Sequence, residues 1–261
     1  MKTFICAWIF FWAGTVTAAE MYWTPEAKNA YSLISDLRID EAITIIRLQS
    51  ITHPDNHIWP YLEDYGEFMR IFIQEDVRKI PAFLSASVIR LERMESVPES
   101  NPLSLMAQAQ IGLHQCALHL QQGQFVAAAT DINKSFKLLR KNQKLHPDDV
   151  ANLRLYASLK VAFGAVPDQY RWLVSIVTSL NGTIDEGLGE LYSILKTTTP
   201  ETNIYHKETL LYAALAEGRL NNKPAKGLQL LYTYLGKTPE TKTVQYLMAN
   251  LMIADGNNDG A

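Results

Sequence analysis

The chain is read as all-α, a right-handed α-solenoid of antiparallel helix pairs, on three observations. A short phrase returns five times, as Leu37-x-Ile39-x-x-Ala42, Gly123-x-Phe125-x-x-Ala128, Gly182-x-Ile184-x-x-Gly187, Asn222-x-Pro224-x-x-Gly227 and Gly256-x-Asn258-x-x-Ala261. Such a phrase suits a tight turn between two helices: a permissive backbone reverses the chain, and a small side chain lets the second helix approach the first. Apolar residues between the phrases recur with helical spacing, and no stretch alternates apolar and polar residues as a half-buried strand requires. A helical hairpin repeated along 261 residues stacks into a solenoid.

The N-terminus reads differently from the rest. Met1-Lys2 precedes the apolar run Phe4 to Gly14, and Val16-Thr17-Ala18-Ala19 follows with small residues, the pattern of a cleaved signal peptide over residues 1–19. An uncleaved anchor helix is the alternative, and membrane association is expected only in that case. Cleavage leaves Cys116 as the single cysteine, so no intrachain disulfide can form.

Residues 20–261 form one repeat domain, opened by Thr24 as helix cap with Pro25 in the first turn. That helix runs to about Leu37, and Glu41 to about Ile51 returns with Ala42, Ile45, Ile46 and Gln49 on one face. A third helix, from about Trp59 to Gln74, carries the stripe Tyr61, Tyr65, Phe68 and Phe72, read as buried against neighbours rather than as a ligand ladder. A fourth covers Val77 to Glu95 and ends before the Pro98 to Pro102 break. Residues 103–121 and 124–144 make the clearest pair, turning at Gly123. Pro147-Asp148-Asp149 starts a helix to about Phe163, Asp168 caps another to Leu180, and Asn181-Gly182 turns the chain into 184–196. Helices at about 203–220, 224–236 and 241–254 complete the chain.

The small residues Gly227 and Ala261 are 34 positions apart, and twelve places before the small residue of each phrase stand the small Ala30, Cys116, Ser175 and Ala249, with Leu215 as the exception. Apolar residues follow four places after it at Ile46, Ile132, Leu191 and Leu231, with repeat-ending prolines at Pro54 and Pro239 that are displaced to Pro147 and Pro200 in the middle units. In these positions the chain resembles the tetratricopeptide superfamily over nearly its whole length after residue 19. Tyr61-Leu62-Glu63-Asp64-Tyr65, Leu138 to Asn142 and Gly164 to Trp172 are similar to phrases in exported tetratricopeptide proteins of Gram-negative envelopes. The resemblance implies a non-enzymatic scaffold or adaptor, periplasmic or associated with the outer envelope, that holds a protein or peptide on its concave face. It also implies further repeats beyond residue 261, so the last helix is expected to leave Val244, Leu247, Met248 and Leu251 uncovered.

Fifteen residues before the small residue lie Trp172, Tyr212 and Tyr246. If that register faces the groove, they form an aromatic ladder for a small ligand or glycan. A shift of one residue makes them core instead.

The formal charge of −3 and 20% charged residues supply no field for nucleic acid, and none is expected as partner. His114-x-Cys116-x-x-His119 is the best approach to a metal motif, but its histidines point apart on a helix and Cys116 occupies a small buried slot. No metal or other cofactor is expected. His53 and His57 flank Pro54 in a loop. Glu186 and Glu190 share a helix face, but such pairs are read as caps or solvated groups. No hydrolase elbow, phosphate loop, zinc-protease or dinucleotide motif occurs, so catalysis on a helical scaffold is the least favoured reading.

Overall fold

A computed structural model describes residues 19–166, 182–236 and 241–256. The signal segment and Trp172, with the helix expected from Asp168, lie outside the described residues. Eleven α-helices are present and no strand is formed among the described residues: α1 Pro25–Ser35, α2 Ile39–Thr52, α3 Ile58–Gln74, α4 Ile80–Glu95, α5 Pro102–Gln121, α6 Phe125–Leu145, α7 Val150–Gly164, α8 Ile184–Thr197, α9 His206–Leu215, α10 Pro224–Leu235 and α11 Lys242–Ala254.

Local chemistry sets the helix starts. The Thr24 hydroxyl accepts from the Ala27 amide at 3.1 Å, and Pro25 follows it. Asn101 accepts from Leu103 N at 3.0 Å ahead of α5, and Asp149 accepts from Ala151 and Asn152 ahead of α7. Thr183 and Glu186 exchange bonds of 3.1 and 3.0 Å as a capping box. Glu186 is thus a cap, and Glu190 pairs with Lys160. Four of the five phrases open on the expected left-handed backbone, with φ of 60°, 72°, 54° and 81° at Leu37, Gly123, Asn222 and Gly256, whereas Gly182 does not. Its small residues pack tightly. A Cβ on Gly227 would meet the Ala214 carbonyl at 2.6 Å, and one on Gly187 would meet the Ala157 carbonyl at 2.6 Å. Gly187 therefore seats α8 on α7.

The helix expected over 203–220 starts three residues later. At its end the α-helix α9 gives way to a π-helical turn, Ala216–Leu220. There the buried Glu217 takes hydrogen bonds from Tyr192, Lys226 and Asn221. Burial pushes its carboxyl up, but these bonds outweigh burial and hold it below the ordinary value.

Each described helix packs on the next, and alternate helices also touch: α1 with α3, α3 with α5, α5 with α7, and α9 with α11. The core is continuous through α7, whose Leu155 and Leu159 join the apolar cluster of α1 to α6 while Ala157 and Val161 join that of α8 to α11.

The far end of this row returns to its beginning. Lys207 pairs with Asp36, and the Thr243 hydroxyl donates to the Ser35 carbonyl at 2.8 Å. This curl accompanies a correction at the last helix. Val244, Leu247, Met248 and Leu251 are all buried rather than exposed. They pack into the cluster of α8 to α10, where Leu251 lies against Gly218 and Gly227, positions without side chains that leave it room. Among the described residues, no helix is long and apolar enough to cross a membrane.

Candidate functional site

At the centre of the curl stands a carboxylate from α9. Glu208 is almost fully buried and accepts hydrogen bonds from the hydroxyls of Tyr31 on α1, Tyr65 on α3 at 2.8 Å and Tyr212 on α9 at 2.6 Å. Arg154 of α7, fully buried, places Nη1 at 2.6 Å from Glu208 Oε2. The contact is at ion-pair distance but is not aligned as a hydrogen bond, and the guanidinium nitrogens have no aligned acceptor. The faces of Tyr205 and Tyr212, 5.0 and 5.4 Å from the Arg154 carbon, supply the remaining stabilisation. Burial raises the Glu208 carboxyl to about 7, with the Tyr212 hydrogen bond working against it. Desolvation likewise pushes Tyr61, Tyr65, Tyr205 and Tyr212 above the ordinary phenol value.

Tyr65 and Tyr212 turn their rings to a pocket of about 320 Å³. Its apolar walls are Phe68 and Met69 of α3, Leu113 of α5, Leu155 and Leu159 of α7 and Leu215 of α9. Two further polar residues of α5 line it, one turn apart: Gln110 and His114. Gln110 Oε1 accepts from the buried Tyr61 hydroxyl at 2.8 Å. His114 stacks on Phe68 with centroids 4.1 Å apart, and its Nδ1 lies 2.7 Å from the fully buried Asp64. Asp64 is held in turn by Ser87 at 2.7 Å and Arg90 at 3.5 Å. Ser158 also lines the pocket, but its hydroxyl is engaged by the Arg154 carbonyl in its own helix.

The sequence ladder divides in this structure. Tyr212 belongs to the pocket and the Glu208 cluster, whereas Tyr246 is 69% exposed on α11. Tyr61 and Tyr65 of the α3 stripe are buried as expected, each with its hydroxyl on a polar partner, while Phe72 at the end of the stripe is 49% exposed.

The histidines of the apparent metal motif take separate carboxylates, His114 with Asp64 and His119 with Asp131 at 2.7 Å. Among the described residues, no three His, Cys, Asp or Glu side chains converge as a metal site would require. Cys116 fills its buried slot, and burial pushes its thiol up to about 12. His57 faces the Arg93 carbonyl at 2.8 Å, tying the loop after α2 to the end of α4.

Sequence reasoning missed Arg154, Glu208, Asp64 and Gln110. Arg154 and Glu208 each sit within apolar helices, where a lone charge is a signal that can be seen, but their separation of 54 positions hides their pairing. Comparison with models of known protein families gives no match, and comparison with curated proteins gives none either.

Proposed function

We propose that the protein is a non-enzymatic, exported binding protein, built as a right-handed tetratricopeptide-like array, whose pocket between α3, α5, α7, α8 and α9 takes a small, mainly apolar ligand. The supporting observation is the pocket itself: about 320 Å³, walled by aliphatic and aromatic side chains from five helices and the π-helical turn, with a few polar groups among them. That size and lining match small-molecule sites. The curl supports the same reading, because Tyr31, Tyr65, Arg154 and Glu208 of α1, α3, α7 and α9 meet in one buried cluster instead of lining an open groove. A glycan, with a hydroxyl on nearly every carbon, fits such walls poorly.

Ala162 lines the pocket and is itself exposed, so Ala162→Trp can obstruct the opening without overfilling the core. The expected outcome is saturable one-to-one binding of 2-methylnaphthalene, followed by its fluorescence, and loss of that binding in the variant. Equal binding by both proteins would assign the probe elsewhere and remove this reading.

The adaptor reading is favoured by a different feature. Ile51 of α2 and Val126 of α6 are 79% and 77% exposed, and Leu48 of α2 with Val88 and Ile89 of α4 adds apolar surface. Single apolar residues on a surface are ordinary, and a contiguous patch would mark a partner. On this reading, Ile51→Asp or Val126→Asp abolishes a stoichiometric complex with a defined protein partner while leaving pocket binding intact.

A further inference from the structure

His114 is 5% exposed and Gln110 2%, yet each keeps one nitrogen without a hydrogen-bond partner among the described residues. Neither nitrogen is among the enclosed atoms left without a partner, so both open to the pocket, where water or the polar head of a ligand can meet them. Their surroundings define what they offer. Asp64 accepts at His114 Nδ1, which puts the ring proton there and leaves Nε2 as an acceptor in the neutral imidazole. Ser87 and Arg90 fix Asp64, and the stack on Phe68 fixes the ring plane. Asp64 is thus a positioning residue. Tyr61 donates to Gln110 Oε1, which leaves the amide NH2 as a donor. One turn of α5 therefore presents an acceptor and a donor side by side on an apolar wall.

Resting on the pocket reading above, we infer that His114 Nε2 and the Gln110 amide recognise the head of the ligand, and that the ligand is a small apolar molecule carrying one neutral hydroxyl or amide. Such a head donates to Nε2 and accepts from the Gln110 amide at once. A carboxylate meets the Nε2 lone pair, and among the described residues lining the pocket it finds no cation to pair with. Arg154 lies against Glu208 and Arg90 against Asp64 and Glu63. A bare hydrocarbon leaves both groups unsatisfied. An apolar cavity of about 150 Å³ is enough for benzene. The pocket of about 320 Å³ therefore has room for roughly a dozen non-hydrogen atoms, the size of a two-ring aromatic or a medium-chain alcohol.

Naphthalenes that differ only in the head test this directly with the full chain at pH 7.5. 2-Naphthol is expected to bind about tenfold more tightly than 2-methylnaphthalene, the effect of one or two good hydrogen bonds, and 2-naphthoate more weakly than either. His114→Phe should erase the advantage of naphthol while 2-methylnaphthalene still binds. The unaltered protein provides a second readout, because the His114 Nε2 nitrogen-15 resonance should shift on adding 2-naphthol and stay in place with 2-methylnaphthalene. Equal affinities of naphthol and methylnaphthalene, tighter naphthoate, or an unmoved Nε2 resonance would overturn the inference and leave the pocket reading standing. No binding of any of the three would overturn both.

Discussion

Glu208 shows how much one residue can carry. Its carboxyl collects hydroxyls from three tyrosines and the charge of Arg154, so four helices distant in sequence meet at one group. Because burial raises its folded-state value to about 7, above the ordinary 4.5, the folded protein holds a proton there that the unfolded chain releases. Stability from this group is therefore fully present below the unfolded value and is lost as pH rises through 7. Between pH 5 and pH 8 the loss is at most about 3 kcal/mol, since the Arg154 charge opposes it. Urea unfolding of the wild type and Glu208→Gln at the two pH values checks the sign: the variant should lose less stability on going to pH 8. A wild type that gains relative to the variant would mean the carboxylate is the favoured form.

At the scale of elements, the repeated phrase is a packing device as much as a turn signal. Four of its first residues adopt positive φ, and two of its small residues bring one helix backbone against another. α8 separates these effects because it carries two glycines of opposite surroundings. A Cβ at Gly187 would press on the backbone of α7 at Ala157 and Val161, whereas one at Gly189 would meet nothing within 4 Å. Gly187→Ala should destabilise by about 1–3 kcal/mol through forced separation of the helices. Gly189→Ala should stabilise by up to about 1 kcal/mol through helix propensity and a less flexible unfolded chain. Denaturant midpoints of the two variants decide it, and a shift of the same sign in both would contradict the close-packing account.

For the whole molecule, the decisive feature is that α9 and α11 return to α1. Asp36 with Lys207 and Ser35 with Thr243 join residues on opposite sides of the chain. Asp36→Lys sets two positive charges against each other at that junction. Amide exchange should then rise together at the end of α1 and the first turn of α9, with little change in α5 and α6. Faster exchange confined to α1 would show that the two ends are not energetically coupled.

The all-α class and most helix boundaries among the described residues were legible in the sequence, because caps such as Thr24 and Asp149, the turn phrase and apolar spacing act over a few residues. The burial of Tyr61 and Tyr65 was legible for the same reason. Which groups those hydroxyls reach was not. His114 meets Asp64 because α3 and α5 pack together, and Tyr65 meets Glu208 because the row of helices curls, a curl that sums small packing angles over many elements. The apolar stripe of α11 was misread on the same ground, since its cover is supplied by neighbours whose arrangement no single segment encodes. Local backbone chemistry, determined by neighbours in sequence, was written in the chain. The pocket and its polar head were decided by tertiary structure, because they exist only where side chains from distant helices exclude water together.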